Sequence, residues 1–301
     1  MAIRLGPNQY GKAEVRVVAV DRSGPRHEIH DLNVSTALRG DFTAAHTEGD
    51  NAHVLTTDAQ KNTVFAFARD GIGSPEAFGL RLARHLAGSY DWITGARVAV
   101  EAYGWERIGV GGRPHEHAFR RPGGEVRTAV VTVDGDDVHV LAGLTDLVVL
   151  TTTGSEFWGF PRDRYTTLAE TRDRVLATAV TARWRNTSAE LDWNAHFDGV
   201  REVLLETFAA THSLALQQTL YAMGEAVLER FADVAEVRMS MPNRHHFLQD
   251  LSAYGLTNTP GEDDVLVYHA DDRPYGLIEG TVLRDDVPPA DVAWLGTPGF
   301  C

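Results

Sequence analysis

Short polar motifs in this chain carry side chains able to hold a flat heterocycle and move protons on it. They are Tyr10-Gly11-Lys12, Thr56-Thr57-Asp58 with Lys61-Asn62-Thr63, Phe157-Trp158-Gly159-Phe160, Gln217-Gln218 and Pro242-Asn243-Arg244-His245-His246. Lys12 can serve as a base or proton relay if burial or a nearby cation lowers its pKa. The Thr57 hydroxyl donates and accepts at once, so it can pass a proton onward, and the amides of a helix start beside it suit an anionic ring edge. Phe157 offers a stacking plate. Arg174 brings a planar fork for a carbonyl and an adjacent ring nitrogen. Gln217 brings a donor and an acceptor side by side, and His245 brings an imidazole that can take or give a proton. Each has an ordinary reading when taken alone: a solvated lysine, a helix cap at Thr57-Asp58, core aromatics, a surface ion pair, a solvent-facing glutamine.

The histidines raise the question of a metal. Adjacent residues of a strand face opposite ways, so His245 and His246 do not readily share an ion. His115 and His117 do face the same way, but no third ligand is identifiable, and no metal site is assigned. No glycine-rich dinucleotide fingerprint follows a strand either. No cofactor is expected.

Antiparallel strands and a few helices must position these groups. Ala13 to Val20 and Glu28 to Leu38 read as strands around an Asp21–Pro25 turn. A short helix follows from Thr57 to Ala68, with Asp58 able to cap it. Ser74-Pro75 opens a second, to Leu86, by a serine cap and a first-turn proline. Strands are expected at 96–103, 126–133 and 138–141. The second half gives strands at 147–152 and 175–184, helices at 198–210 and 213–232, and strands at 236–241, 265–269 and 276–283. The order is that of an α+β protein with two ββααββ-like halves, 1–143 and 144–301, parted near Gly143-Leu144-Thr145. Flat sheets of this kind leave edges, and a ring of copies is one way to pair them.

The chain has 301 residues, 43% hydrophobic and 23% charged, as in ordinary globular proteins. Its net charge of −14 disfavours nucleic acid. No apolar run is long enough for a transmembrane helix, and no signal peptide is recognised at the start. The ending, Thr297-Pro298-Gly299-Phe300-Cys301, is not a peroxisomal address. Cys301 is the single cysteine, which suits a reducing compartment; the cytoplasm is the expected location.

Taken together, the motifs resemble the urate oxidase (uricase) family. The likeness runs from Tyr10-Gly11-Lys12 through Thr57-Asp58 and Gly112-Arg113-Pro114-His115-Glu116-His117-Ala118-Phe119. It continues in Phe157-Trp158-Gly159-Phe160, Tyr165-Thr166-Thr167-Leu168, Asp173-Arg174, Gln217 and Pro242-Asn243-Arg244-His245. Ala59 stands where many members carry a hydroxyl, and His246 where an aromatic is common. The resemblance implies a tandem tunnelling fold and a homotetramer with active sites shared between two chains. It implies a proton relay of Lys12, Thr57 and His245, with Phe157 stacked on urate and Arg174 and Gln217 at its two ends. Leu216 and Asp58 are implied to contribute backbone contacts, and Asn243 with Thr57 to hold oxygen and then water. The implied reaction is cofactor-free oxidation of urate by O2 and water to 5-hydroxyisourate and hydrogen peroxide. Two rivals remain in view. A pterin synthase or cyclohydrolase of similar architecture anchors its heterocycle with a glutamate and often uses zinc; Gln217 and the single cysteine argue against it. A non-catalytic purine binder has no need of Lys12, Thr57 and His245 together.

Overall fold

The structure, a computed structural model, describes residues 3–297; Cys301 and most of the C-terminal ending lie outside the described residues. The first half contributes β1 (Tyr10–Asp21), β2 (Glu28–Gly40), α1 (Thr43–Thr47), α2 (Thr57–Arg69), α3 (Pro75–Ala87) and β3 (Ile93–Tyr103). A small hairpin, β4 (Glu106–Val110) and β5 (Arg113–Arg120), precedes β6 (Val126–Asp134) and the long β7 (Asp137–Thr151). Then come β8 (Leu176–Asn186), α4 (Trp193–Ala210), α5 (Leu216–Arg230) and β9 (Val234–Pro242). The end of the chain supplies β10 (His245–Leu248), β11 (Tyr268–Asp271), β12 (Leu277–Leu283) and α6 (Asp291–Trp294).

Eight strands form one antiparallel sheet in the order β1-β2-β3-β6-β7-β8-β9-β12. Strand alternation gives it two unlike faces. Val34, Val100, Ala129, Ala142, Trp184 and Val237 lie in one row across neighbouring strands, and all are buried. On this face α2 and α3 cover one apolar cluster, and α4 and α5 cover a second. The next row, on the opposite face, reads Asn33, Glu101, Thr128, Gly143, Arg183 and Arg238. Among the described residues that polar face carries one helix, α6, whose Ala293 and Trp294 sit on Val130 and Leu141.

β7 is a single strand of 15 residues, where two strands were expected. The turn-like Leu144-Thr145-Asp146 stretch makes a bulge instead: pairing with β8 slips between Leu144 and Leu147, and Asp146 takes φ 57°. The boundary drawn at Gly143 falls inside this strand, while the two apolar clusters divide between Val140 and Ala142. Other differences have local causes. α4 starts at Trp193, not 198, because Asp192 caps it through Ala195 N–H at 3.1 Å. α5 starts at Leu216, because residue 213 is held in extended pairing with Ser155. The 265–269 strand is shifted to β11 and pairs with β10, which was not expected. The β4–β5 hairpin was also missed; Gly111 and Gly112 make its turn with φ 59° and 78°.

One buried ion pair joins the helix layers of the two halves. Arg127 on β6 meets Glu76 of α3 at 2.7 Å, and Glu76 is fully buried. The same guanidinium donates to Asn194 Oδ1 and Trp193 O at the start of α4, and stacks on Phe197. Burial holds the Glu76 carboxyl above its usual range, against the pull of Arg127. Arg127→Met should therefore cost about 3–5 kcal/mol near neutral pH, since it strands a buried carboxylate. Without the guanidinium the folded-state pKa of Glu76 rises further above its unfolded value of about 4.3. A group raised in this way stabilises the fold below that unfolded pKa, and its contribution is lost as pH rises through the folded value. Urea midpoints should show a larger penalty at pH 8 than at pH 5; equal penalties would contradict this account.

Candidate active site

The sequence-predicted residues fall into two groups at different places on the sheet. Lys12, Thr57 and Asp58 stand at its β1 edge. Phe157, Arg174, Leu216, Gln217, Asn243 and His245 gather around β8, β9 and the start of α5.

In the first group, a break in strand pairing sets the lysine. Lys12 pairs with Thr36, and register is then lost until Val15, with Glu14 at φ 58°. Gly11 permits the approach: a Cβ there would lie 1.8 Å from the Thr36 carbonyl oxygen. A buried chain of hydrogen bonds ties this strand to α2. Lys12 N–H donates to Thr36 Oγ1 at 3.3 Å, Thr36 O–H donates to Gln60 Oε1 at 2.8 Å, and Gln60 donates to Leu55 O at 3.3 Å. Gln60 is wholly buried and sits one helical turn beyond Thr57. Helix α2 is capped by Thr56, whose Oγ1 accepts Ala59 N–H at 3.0 Å; Asp58 does not cap it. The Asp58 carboxylate is instead engaged by Lys61 at 2.5 Å and Asn62 at 2.9 Å. The hydrogen bond from Lys61 is the main reason its pKa is lowered; the charge of Lys12 adds to the effect. With its carboxylate turned along the helix, Asp58 has a first-turn amide that no i−4 carbonyl claims.

The second group hangs on the segment between β7 and β8. Phe157 exchanges two 2.9 Å backbone bonds with Thr171, and its ring lies 5.1 Å from that of Phe160, nearly parallel. The Arg174 guanidinium sits 5.1 Å from the Phe157 centroid and donates from Nε to Ser155 Oγ at 3.2 Å. Burial depresses its pKa, and among the described residues it has no carboxylate partner within ion-pair distance. Leu216 is buried at the start of α5, and Gln217 beside it is exposed in the first turn. Gln218 is occupied locally, accepting Leu214 N–H at 2.8 Å. Asn243 bonds Gly276 O through its backbone N–H at 2.9 Å and bridges to Thr178, while Arg244 N–H reaches Ala177 O. This brings the end of β9 beside the start of β8, two residues from Arg174. His245 opens β10 and stacks on Phe247 at 5.5 Å.

Thr36, Gln60, Ser155, Ser213 and Thr219 were not singled out from sequence. Gln60 had a signal, since it shares a helical stripe with the buried Val64 and Ala68. Two clefts, of about 640 and 740 Å³, lie elsewhere and are lined by none of the named site residues. The His115 and His117 rings lie 4.6 Å apart, and His27 is 5.5 Å from His117. Among the described residues no group of three or more His, Cys, Asp or Glu has metal-binding geometry.

An antiparallel sheet of this order with its long helices on one face defines a protein of the tunnelling-fold class. The family model described as Uricase matches residues 8–132 and 140–279. Uricase from Arthrobacter globiformis is 55% identical over 297 residues, covering 99% of this chain and 95% of the relative. That from Aspergillus flavus is 38% identical over 293 residues, covering 93% and 96%. The crystal structure of the Arthrobacter globiformis protein superimposes with a TM-score of 0.91 at 54% identity, covering 98% of this chain and 99% of that one. A uricase structure from Bacillus fastidious shares the fold, with a TM-score of 0.79 at 24% identity. The chain belongs to the uricase family, and its activity is the oxidation of urate by oxygen.

Gln60→Leu should show what the first group depends on. It leaves the buried Thr36 O–H without its acceptor, a cost of about 1–3 kcal/mol, while Leu55 O keeps the Tyr10 hydroxyl at 3.0 Å. Thermal unfolding should register that loss, and steady-state kinetics should show kcat falling by more than KM rises. A variant with wild-type stability and kcat would contradict the assignment.

Proposed function

We propose that the two groups are complementary halves of one site, closed only between chains, and that the reaction there needs no cofactor. Their separation carries this reading. β1 is five places from β8 and six from β9 in the sheet, so the groups lie roughly 24–29 Å apart along it at about 4.8 Å per strand. A urate molecule cannot span that distance. A homotetramer that pairs sheet edges into a ring would bring the β1 edge of one chain to the second group of another. Each chain then acts as two tunnelling-fold halves, 1–143 and 144–301, on one continuous sheet.

Urate is electron-rich, and loss of a further proton raises its electron density. Dioxygen is a triplet and reacts slowly with closed-shell molecules, which is why many oxidases recruit a flavin or metal. Here the substrate anion itself supplies the electrons. Lys12, through the Thr57 hydroxyl and with His245, removes and relays the proton. Arg174 and Gln217 hold the two ends of the ring, Phe157 stacks on it, and the backbones of Asp58 and Leu216 complete the grip. Asn243 and Thr57 keep oxygen, then water, over one face. Two electrons pass from the ring to O2, and two protons accompany them to give hydrogen peroxide. Water adds to the oxidised ring to give 5-hydroxyisourate. The acidic surface does not favour nucleic acid as a partner. Among the described residues no helix is long and apolar enough to cross a membrane, and a lone cysteine fits the cytoplasm.

Lys12→Met and Thr57→Ala should each lower kcat by about 10²-fold or more, the scale of acid–base groups, followed by ultraviolet loss of urate with peroxide release. Unfolding and refolding Lys12→Met together with Arg174→Ala should regenerate about a quarter of the sites, because a random pair of chains then supplies both intact halves. No recovery from well-folded mixtures would rule out the shared site. Extensive dialysis against a chelator should leave kcat unchanged. Activity lost in that treatment and restored by one metal would overturn the cofactor-free reading.

A further inference from the structure

We propose that Ser155 is a positioning residue that sets the plane of the Arg174 guanidinium and so selects a purine edge with two adjacent acceptors. The proposal rests on the reading of Arg174 as a substrate grip. Ser155 is completely buried, and its hydroxyl is a fixed point. Its backbone is clamped on both sides of a bridge to Ser213: Ser213 N–H donates to Gly154 O at 2.9 Å, and Glu156 N–H donates to Ser213 O at 2.7 Å. Asp173, next to Arg174, accepts Thr153 O–H at 2.9 Å and Gly154 N–H at 3.2 Å through Oδ1. Both ends of the contact are therefore tied to one rigid segment. Ser213 in turn accepts the Thr219 hydroxyl at 2.8 Å, which fixes the start of α5 and with it Leu216 and Gln217.

A guanidinium is planar, so its orientation follows once two of its features are fixed. The Nε–H donated to Ser155 fixes one, and the approach to the Phe157 ring fixes the other. The remaining free edge is the pair of Nη groups, two nearly parallel N–H donors. That edge matches a carbonyl oxygen beside a ring nitrogen. If the Ser155 hydroxyl is removed, the fork can turn about its last torsions, and a bidentate grip becomes a single hydrogen bond.

The test is a double-mutant cycle with urate as the titrated ligand. Ser155→Ala should raise KM about tenfold, the scale for a hydrogen bond to a charged group, with kcat changing far less. In an Arg174→Ala background the same substitution should change KM by less than about twofold, because the group it positions is gone. Ser155→Cys keeps the volume with a weak acceptor and should repeat the KM rise. It serves as the readout if Ser155→Ala does not fold. Equal KM effects with and without Arg174 would show a merely structural serine and overturn the proposal. Wild-type KM in a folded Ser155→Ala or Ser155→Cys variant, with a raised KM in Arg174→Ala, would also overturn it while sparing the Arg174 assignment. Wild-type KM in Arg174→Ala would remove the grip itself, and this inference with it.

Discussion

The width of one uninterrupted sheet governs the rest of this protein. Pairing runs without a gap from β1 to β12, through the 15-residue β7 that belongs to both halves. A sheet of this size twists, and it is open here, with β1 and β12 as its two edges and the four long helices on one face. Its polar face is left with arginines at 97, 183, 185 and 238 and only a short helix above them. Its edges keep backbone groups unpaired, and apolar side chains such as Val18, Val20, Leu277 and Leu283 are exposed there. The continuity that leaves these edges open also keeps the two sets of residues apart. Assembly and site formation are then a single event in the proposed ring.

Both sets are built by a similar device. Each places a cationic side chain where regular pairing fails, Lys12 in the β1 bulge and Arg174 just ahead of β8. Each sets that residue in the region of a helix start, Thr57 of α2 or Leu216 of α5. Each then locks strand to helix with buried hydroxyl or carboxamide groups: Thr36 with Gln60, Ser155 and Ser213 with Thr219. Such groups are costly to bury unless they are satisfied, so a fully bonded set favours one geometry over its neighbours. In the proposed site one set would supply the proton machinery and the other the grip on the ring.

The parts of this arrangement that depend on neighbours in sequence were legible, and the parts that depend on distant contacts were not. The alternation around Val34 and the Ser74-Pro75 start gave β2 and α3 because their causes are local. Asp58 was a reasonable cap, but Lys61 and Asn62, three and four residues on, claim its carboxylate, and Thr56 takes the role. The stretch near Gly143 read as the boundary between two halves because a bulge that keeps one strand continuous has no strong local signature. The chemistry-bearing motifs stood out as polar exceptions, whereas their supports did not. Thr36 meets Gln60 across 24 residues, and Ser155 pairs with Ser213 across a strand and a helix.

In the proposed site, the electrostatics of Arg174 would let a chain with a net charge of −14 collect an anion. Exposed surface charge is screened beyond about 8 Å at physiological ionic strength, so the global field is weak at a sheltered site. Arg174 is half-buried, its pKa is depressed by desolvation, and its neighbours are a neutral hydroxyl and an aromatic ring. The cost of withdrawing a cation from water is offset best by an anion bound against it. A carboxylate from the chain would do this permanently and close the site. In the proposed site, leaving the charge unpaired would keep that gain for the substrate, and the Phe157 ring beside it would restrict the gain to ligands that are flat.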